Sequence, residues 1–205
     1  MTDIAAQRAK SGRRPGQSGT RERILAVART RFAGSGFDKT SVRSVAADAG
    51  VDSALVHHYF GTKRELFVAA IELPIDPGII LQPVLAADTN VLGEALITAV
   101  MNVWESDQGE AVVAAFRSLI VEGDTTLIGS FLMEVVLREI AARVDEPPGS
   151  APERFTLVAT QMSGLLLTRY ILKLEPIASM PQARVIASIG PTLQRYLTGP
   201  LPAMN

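Results

Sequence analysis

The tightest constraint on this chain lies between Thr40 and Phe67, where two short apolar-faced segments are joined by Ala49-Gly50-Val51. Thr40 can cap the first segment through its hydroxyl, and Val42, Val45, Ala46 and Ala49 fall on one side of it at helical spacing. Gly50 closes that helix and turns the chain, because glycine takes the left-handed conformation without a steric penalty. Val51 fills the space between the segments, Asp52 or Ser53 caps the second, and the second ends near Phe60. Small Ala46 and Ala47 let the two helices cross closely. The pattern is a helix-turn-helix. Gly61-Thr62 then breaks the chain, and Lys63 starts a further helix through Leu66, Phe67 and Ala70.

The remaining periodicity is helical as well, and no segment alternates as a strand would. A first helix is expected from Thr20 to Ser35, with Ile24, Ala28 and Phe32 inward and Gly34-Ser35-Gly36 as its end, after which Phe37 returns to the core. Pro74 and Pro77 cannot sit inside a regular helix, so 73–78 reads as a boundary. Helix resumes near Ile79 to Leu85, or that stretch is an apolar loop. Further helices are expected from about Asn90 to Glu105, Glu110 to Val121, Thr125 to Val144, Pro152 to Leu174 and Pro181 to Leu197. Ser150 and Glu153 have capping-box spacing ahead of the fourth of these. The expected fold is all-α: a basic arm over 1–18, a helix-turn-helix domain over 19–72 and a helical domain over 73–205.

Charge divides along the same line. Net charge is −1, but residues 1–72 carry 12 Lys or Arg against 7 Asp or Glu, and the remainder carries 8 against 14. A basic N-terminal third on an acidic body is the footprint of a nucleic-acid-contacting module. Arg8, Lys10, Arg13 and Arg14 place an arm there that either lies along DNA or is a solvated tail. Cysteine is absent, which removes disulfides, thiol nucleophiles and cysteine zinc sites. The only two histidines, His57 and His58, are adjacent and so point about 100° apart, unlike the i, i+4 pair of a metal clamp. No phosphate loop, nucleophile elbow or dinucleotide fingerprint is present, so an enzyme is not expected. Met1 to Gly19 lacks the apolar stretch of a secretory signal and no apolar run is long enough for a bilayer, so a cytoplasmic protein without membrane attachment is expected.

The run Thr40-Ser41-Val42-Arg43-Ser44-Val45-Ala46, the turn Ala49-Gly50-Val51, the end His58-Tyr59-Phe60 and the start Lys63-Arg64-Glu65-Leu66 together resemble the N-terminal domain of the tetracycline-repressor (TetR) family, over about residues 20–70. Gly190-Pro191-Thr192-Leu193-Gln194-Arg195-Tyr196-Leu197 resembles some C-terminal domains of that family. The resemblance implies a DNA-binding transcription regulator, a repressor by preference, acting as a homodimer on a palindromic double-stranded operator. In a helix-turn-helix the second helix enters the major groove by its N-terminal residues. Here these are Ser53, Ala54 and Leu55, then His57 and His58. Phosphate contacts are expected from Thr40, Arg43, Tyr59 and Lys63, with Ser41 as a further candidate. Thr40 alternatively serves only as a cap, and Tyr59 only as packing.

The resemblance also implies a small-molecule pocket and a dimer face in the C-terminal helices, the last two pairing with their copies. Met101, Trp104, Phe116, Phe131, Met133 and Met162 are candidates for an adaptable apolar lining, or are core. The apolar or aromatic effector that such a lining would take is not a cofactor, and none is expected. Leu165, Leu166, Arg169, Tyr170, Ile186, Ile189 and Leu193 are candidates for the dimer face, or are intramolecular core. Each subunit then places one reading helix, the two about 34–36 Å apart, and a ligand that prefers another spacing releases DNA. The helix from Lys63 is the natural lever, interrupted by Pro74 and Pro77. A DNA-binding protein that takes no ligand and recruits a partner protein is the alternative.

Overall fold

The computed structural model describes residues 16–72, 74–75, 77–122, 127 and 138–202. The described residues form ten α-helices and no strand: α1 Gly16–Lys39, α2 Val42–Asp48, α3 Ser53–Phe60, α4 Lys63–Ala70, α5 Pro77–Ala86, α6 Leu92–Trp104, α7 Gly109–Glu122, α8 Arg138–Val144, α9 Ala151–Leu165 and α10 Gln182–Thr198. A 3-10 turn, Thr89–Val91, leads into α6, and α9 continues as a π-helix over Leu166–Ile171. Among the described residues no single helix is long and apolar enough to cross a membrane. The basic arm and most of the helix expected from Thr125 lie outside the described residues.

Two apolar cores organise the chain. The N-terminal core gathers Ile24, Ala28 and Phe32 from α1, Val45 and Ala46 from α2, Val56 and Phe60 from α3, and Leu66 and Phe67 from α4. At its centre Phe67 meets Phe32 edge-on at 4.8 Å and Phe37 at 5.3 Å. Phe37 reaches that position because the α1 backbone breaks at Gly36 (φ 77°, ψ 172°), a conformation open to glycine. The expected end of the first helix is therefore a kink, and helical backbone resumes as far as Lys39. Leu127, from the C-terminal part of the chain, is fully buried in this N-terminal core, and Phe116 packs against both cores.

The C-terminal core is built on α6, whose Leu92, Leu96, Ile97 and Met101 are buried. α10 crosses it closely, with Gly93 and Gly190 both buried at the crossing and the Gly93 N–H donating to Gln194 Oε1 at 2.8 Å. The expectation at Ser150 is corrected. Ser150 has helical backbone and makes no side-chain cap, and the Ala151 N–H is taken instead by Asp145 Oδ1 at 2.9 Å. The Ser150 hydroxyl accepts from Arg154 Nε at 3.1 Å.

The lever expectation also changes. α4 stops at Ala70 and the chain turns at Ile71 and Glu72. A separate helix, α5, starts at Pro77, where the missing N–H costs nothing. Its C-terminal carbonyls are held by Arg143 of α8, which donates to Val84 O, Leu85 O and Ala87 O at 3.3, 3.0 and 2.5 Å. A cation there also answers the helix dipole.

Candidate nucleic-acid interface

α2 is opened by Ser41, whose hydroxyl accepts from the Ser44 N–H at 3.0 Å while Ser44 Oγ accepts from the Ser41 N–H at 3.1 Å. Gly50 turns the chain at φ 62°. Asp52 then caps α3, accepting from the Ala54 N–H at 2.7 Å. Arg31 of α1 grips Asp48 at the end of α2 at 2.5 Å, and that hydrogen bond holds the Asp48 carboxyl below the usual carboxylate range. These contacts fix the two short helices relative to α1, which supplies the surface they need to be stable.

α3 is two-sided. Val56 and Phe60 are buried, and the guanidinium of Arg21 lies 5.1 Å from the Phe60 ring centre. Ala54, His57 and His58 are exposed on the other side, at spacings that share one helix face, with Ser53 and Leu55 half-buried at its rim. Ser41 and Arg43 add exposed polar groups from α2. Tyr59 is half-buried between the rings of His58 and Phe60, at 5.7 and 6.1 Å.

One of the expected phosphate contacts is corrected by this geometry, and a second already has partners inside the protein. Thr40 is 2% exposed, and its hydroxyl donates to Gly36 O at 2.9 Å and Arg31 O at 3.2 Å. It closes the end of α1 and is neither the cap of α2 nor a surface group. Lys63 starts α4 as expected, but its ammonium points back to α1, donating to Asp38 O at 3.3 Å and lying 4.3 Å from the Phe37 ring centre. The start of α4 is fixed by Thr62 and Glu65, a reciprocal capping box that holds the Glu65 carboxyl below its usual range through donation from the Thr62 N–H and hydroxyl. The spacing Thr62-x-x-Glu65 was the signal for it in the sequence. Gly61 just before it takes φ 71°, a left-handed conformation that a side chain would strain.

Two braces had no local signal. Arg31–Asp48 spans α1 and α2, and Arg138 of α8 reaches Asp38 at 3.2 Å, joining the C-terminal helices to the reading head.

In the C-terminal part, Met101 and Trp104 are buried core, and Phe116 and Met162 are half-buried. Phe131 and Met133 lie outside the described residues. Beside Trp104 stands a polar cluster. Tyr170 packs edge-on against the indole at 5.2 Å and donates its hydroxyl to Glu105 at 3.0 Å. Arg169 donates to the same Glu105 oxygen at 2.9 Å and to Ile177 O and Met180 O. Burial pushes the Tyr170 phenol up to about 12. Arg169 and Tyr170 are half-buried and are engaged within the subunit by these contacts. Leu165, Leu166 and Leu193, expected on the dimer face, are corrected: they are 3%, 6% and 0% exposed and belong to the intramolecular core. Ile186 and Ile189 are half-buried.

Residues 24–70 match the family described as bacterial regulatory proteins, tetR family, and residues 90–197 match the tetracyclin repressor-like C-terminal domain. A TetR-family regulator from Streptomyces coelicolor A3 is 37% identical, the match covering 91% of this chain and 99% of that one at a TM-score of 0.43. A transcriptional regulator from Rhodococcus sp. Rha1 is 23% identical over 89% and 99% of the two chains (TM-score 0.43). NalD, the secondary repressor of the MexAB-OprM multidrug efflux pump in Pseudomonas aeruginosa, is 18% identical over 88% and 98% (TM-score 0.42). Among curated proteins none matches the chain.

Proposed function

This chain belongs to the TetR family of bacterial regulatory proteins and is a DNA-binding transcriptional regulator, a non-enzymatic protein; we propose that it is a homodimeric repressor, released from a palindromic operator by a small apolar or aromatic effector. The observation that carries the DNA-reading part is the two-sided α3. Its Val56 and Phe60 anchor it while Ala54, His57 and His58 stand clear on the other face. A helix held this way enters a major groove by its exposed side. Ser53 offers a hydroxyl to a base edge, Ala54 a methyl to thymine, and Arg43 and Ser41 flank it toward the phosphates.

The dimer reading moves to other residues of the same two helices. α9 exposes Thr156, Thr160, Ser163 and Gly164 along one stripe, and α10 exposes Ala183, Ala187, Ser188 and Pro191. Side chains this small allow close helix approach between subunits.

For the effector, Trp104 and Tyr170 supply an aromatic wall and half-buried Met162 and Phe116 adaptable neighbours. Arg138 and buried Leu127 link this part of the chain to the reading head, so a ligand that shifts either changes the spacing of the two α3 helices. Titration of lipophilic aromatic compounds, followed by Trp104 fluorescence and by release of a labelled operator duplex, tests this. Indole quenching and DNA release should share one midpoint. Release by charged, polar compounds alone would contradict an apolar effector.

A further inference from the structure

The exposed face of α3 holds the chain's only two histidines, and the helix contains no Arg, Lys, Asn or Gln. One ring nitrogen of His57 is already engaged inside the protein. Its Nδ1 lies 2.7 Å from the Gly61 carbonyl oxygen. A carbonyl only accepts, so Nδ1 carries the hydrogen, and in the neutral ring Nε2 is left as a bare acceptor.

DNA offers mostly acceptors to such a group. These are the phosphate oxygens and, in the major groove, purine N7 and guanine O6. A neutral His57 meets them acceptor against acceptor, whereas a second proton makes Nε2 a charged donor. Both histidines stand in the last turn of α3.

The carboxylates on the neighbouring segments are engaged with other partners. Asp52 accepts from the Ala54 N–H, Asp48 from Arg31, and Glu65 from Thr62. The remaining charges on the elements packed around α3 are mainly cationic: Arg21, Arg23, Arg29 and Lys39 on α1, Arg43 on α2, and Lys63 and Arg64 on α4, against Glu22 and the Arg138-paired Asp38 on α1. DNA phosphates bring the opposite charge for a protonated ring on this face when α3 docks.

We propose that His57 takes up a proton as α3 enters the major groove and donates from Nε2 to an acceptor on the DNA. His58, beside it on the exposed face, is a second site of the same linkage. Because the complex binds more protons than the free protein, affinity rises as pH falls across the range in which imidazole changes charge, about pH 8 to pH 5. The proposal rests on the DNA-reading role of α3.

The test uses the full chain and the duplex that it enriches from a randomised library. Affinity is measured by anisotropy at about pH 8 and about pH 6 and at several salt concentrations, for the parent, His57→Gln, His58→Gln and the double variant. Circular dichroism checks that each is folded. The parent should bind about tenfold or more tightly at the lower pH, His57→Gln should lose most of that ratio, and the double variant should show a ratio near one. A log–log salt slope steeper at the lower pH by about 0.9 per contact marks a phosphate acceptor. An unchanged slope with sensitivity to guanine replacement marks a base edge. Parent binding that is independent of pH, or a pH ratio kept in the double variant, would overturn the proposal and leave DNA reading intact. Enrichment of no duplex at either pH would overturn both.

Discussion

Arg154→Met is expected to unfold on the order of 10 °C below the parent, a loss of about 3–5 kcal/mol. Arg154 is 2% exposed. Its guanidinium donates to Ser150 Oγ at 3.1 Å, to Tyr196 O and Gly199 O at 2.9 Å each, and to Glu146 O. One side chain thereby ties the start of α9 to the end of α10 and to the loop before α9. Three of its four partners are backbone carbonyls, and methionine leaves them without that donor. The fork geometry matters as much as the charge, because five donors fixed in a plane reach carbonyls in different directions. Arg154→Lys should therefore recover only part of the loss. Thermal unfolding followed by circular dichroism measures both variants. A methionine variant within about 0.5 kcal/mol of the parent, the range typical of surface substitutions, would mean the network is dispensable.

Gly93→Ala should cost about 1–3 kcal/mol or more, which is unusual for the addition of one methyl group to a helix. In an exposed helix the same change would be stabilising, since alanine is the better helix former. Here the added Cβ would sit 2.5 Å from Gly190 O and closer still to Gln194 N, both backbone atoms of α10. Backbone cannot rotate away, so α6 and α10 must separate and lose the hydrogen bond from the Gly93 N–H to Gln194 Oε1. Since α10 also carries part of the proposed dimer face, the variant should dissociate at higher protein concentration than the parent. Light scattering beside thermal unfolding reads both effects. A stabilised Gly93→Ala protein would show that the helices do not cross this closely.

The reading head was legible because its signals are local. Gly50, Asp52 and the pair Val56 and Phe60 lie within a turn or two of the features they determine, and each has one dominant physical role. Thr40 was harder. Thr40 and Ser41 are equally good caps in sequence, and the choice is made by the break at Gly36, which brings two α1 carbonyls onto the Thr40 hydroxyl. The same holds at Ser150, where the capping group arrives from Asp145 across the Pro147-Pro148-Gly149 turn. The dimer face was misread for a different reason. Leu165, Leu166 and Leu193 were visible as surplus apolar surface, but periodicity does not say whether a neighbouring helix or a second subunit covers it. Buried Arg154 and the Glu105–Arg169–Tyr170 cluster had no signature, because their partners are mostly backbone carbonyls or residues far away in the chain.

Whether α3 reads DNA is decided by sequenced capture of DNA fragments from a randomised duplex library, by the parent and by Ala54→Glu in parallel. Ala54 is exposed at the start of α3, where glutamate suits the helix dipole, so the variant should fold while opposing a phosphate-rich partner. The parent should enrich one palindromic sequence, with half-site centres about 34–36 Å or a multiple of that apart. Ala54→Glu should enrich none. The same fragments recovered by both proteins, or none by the folded parent, would contradict α3 as the element that reads DNA.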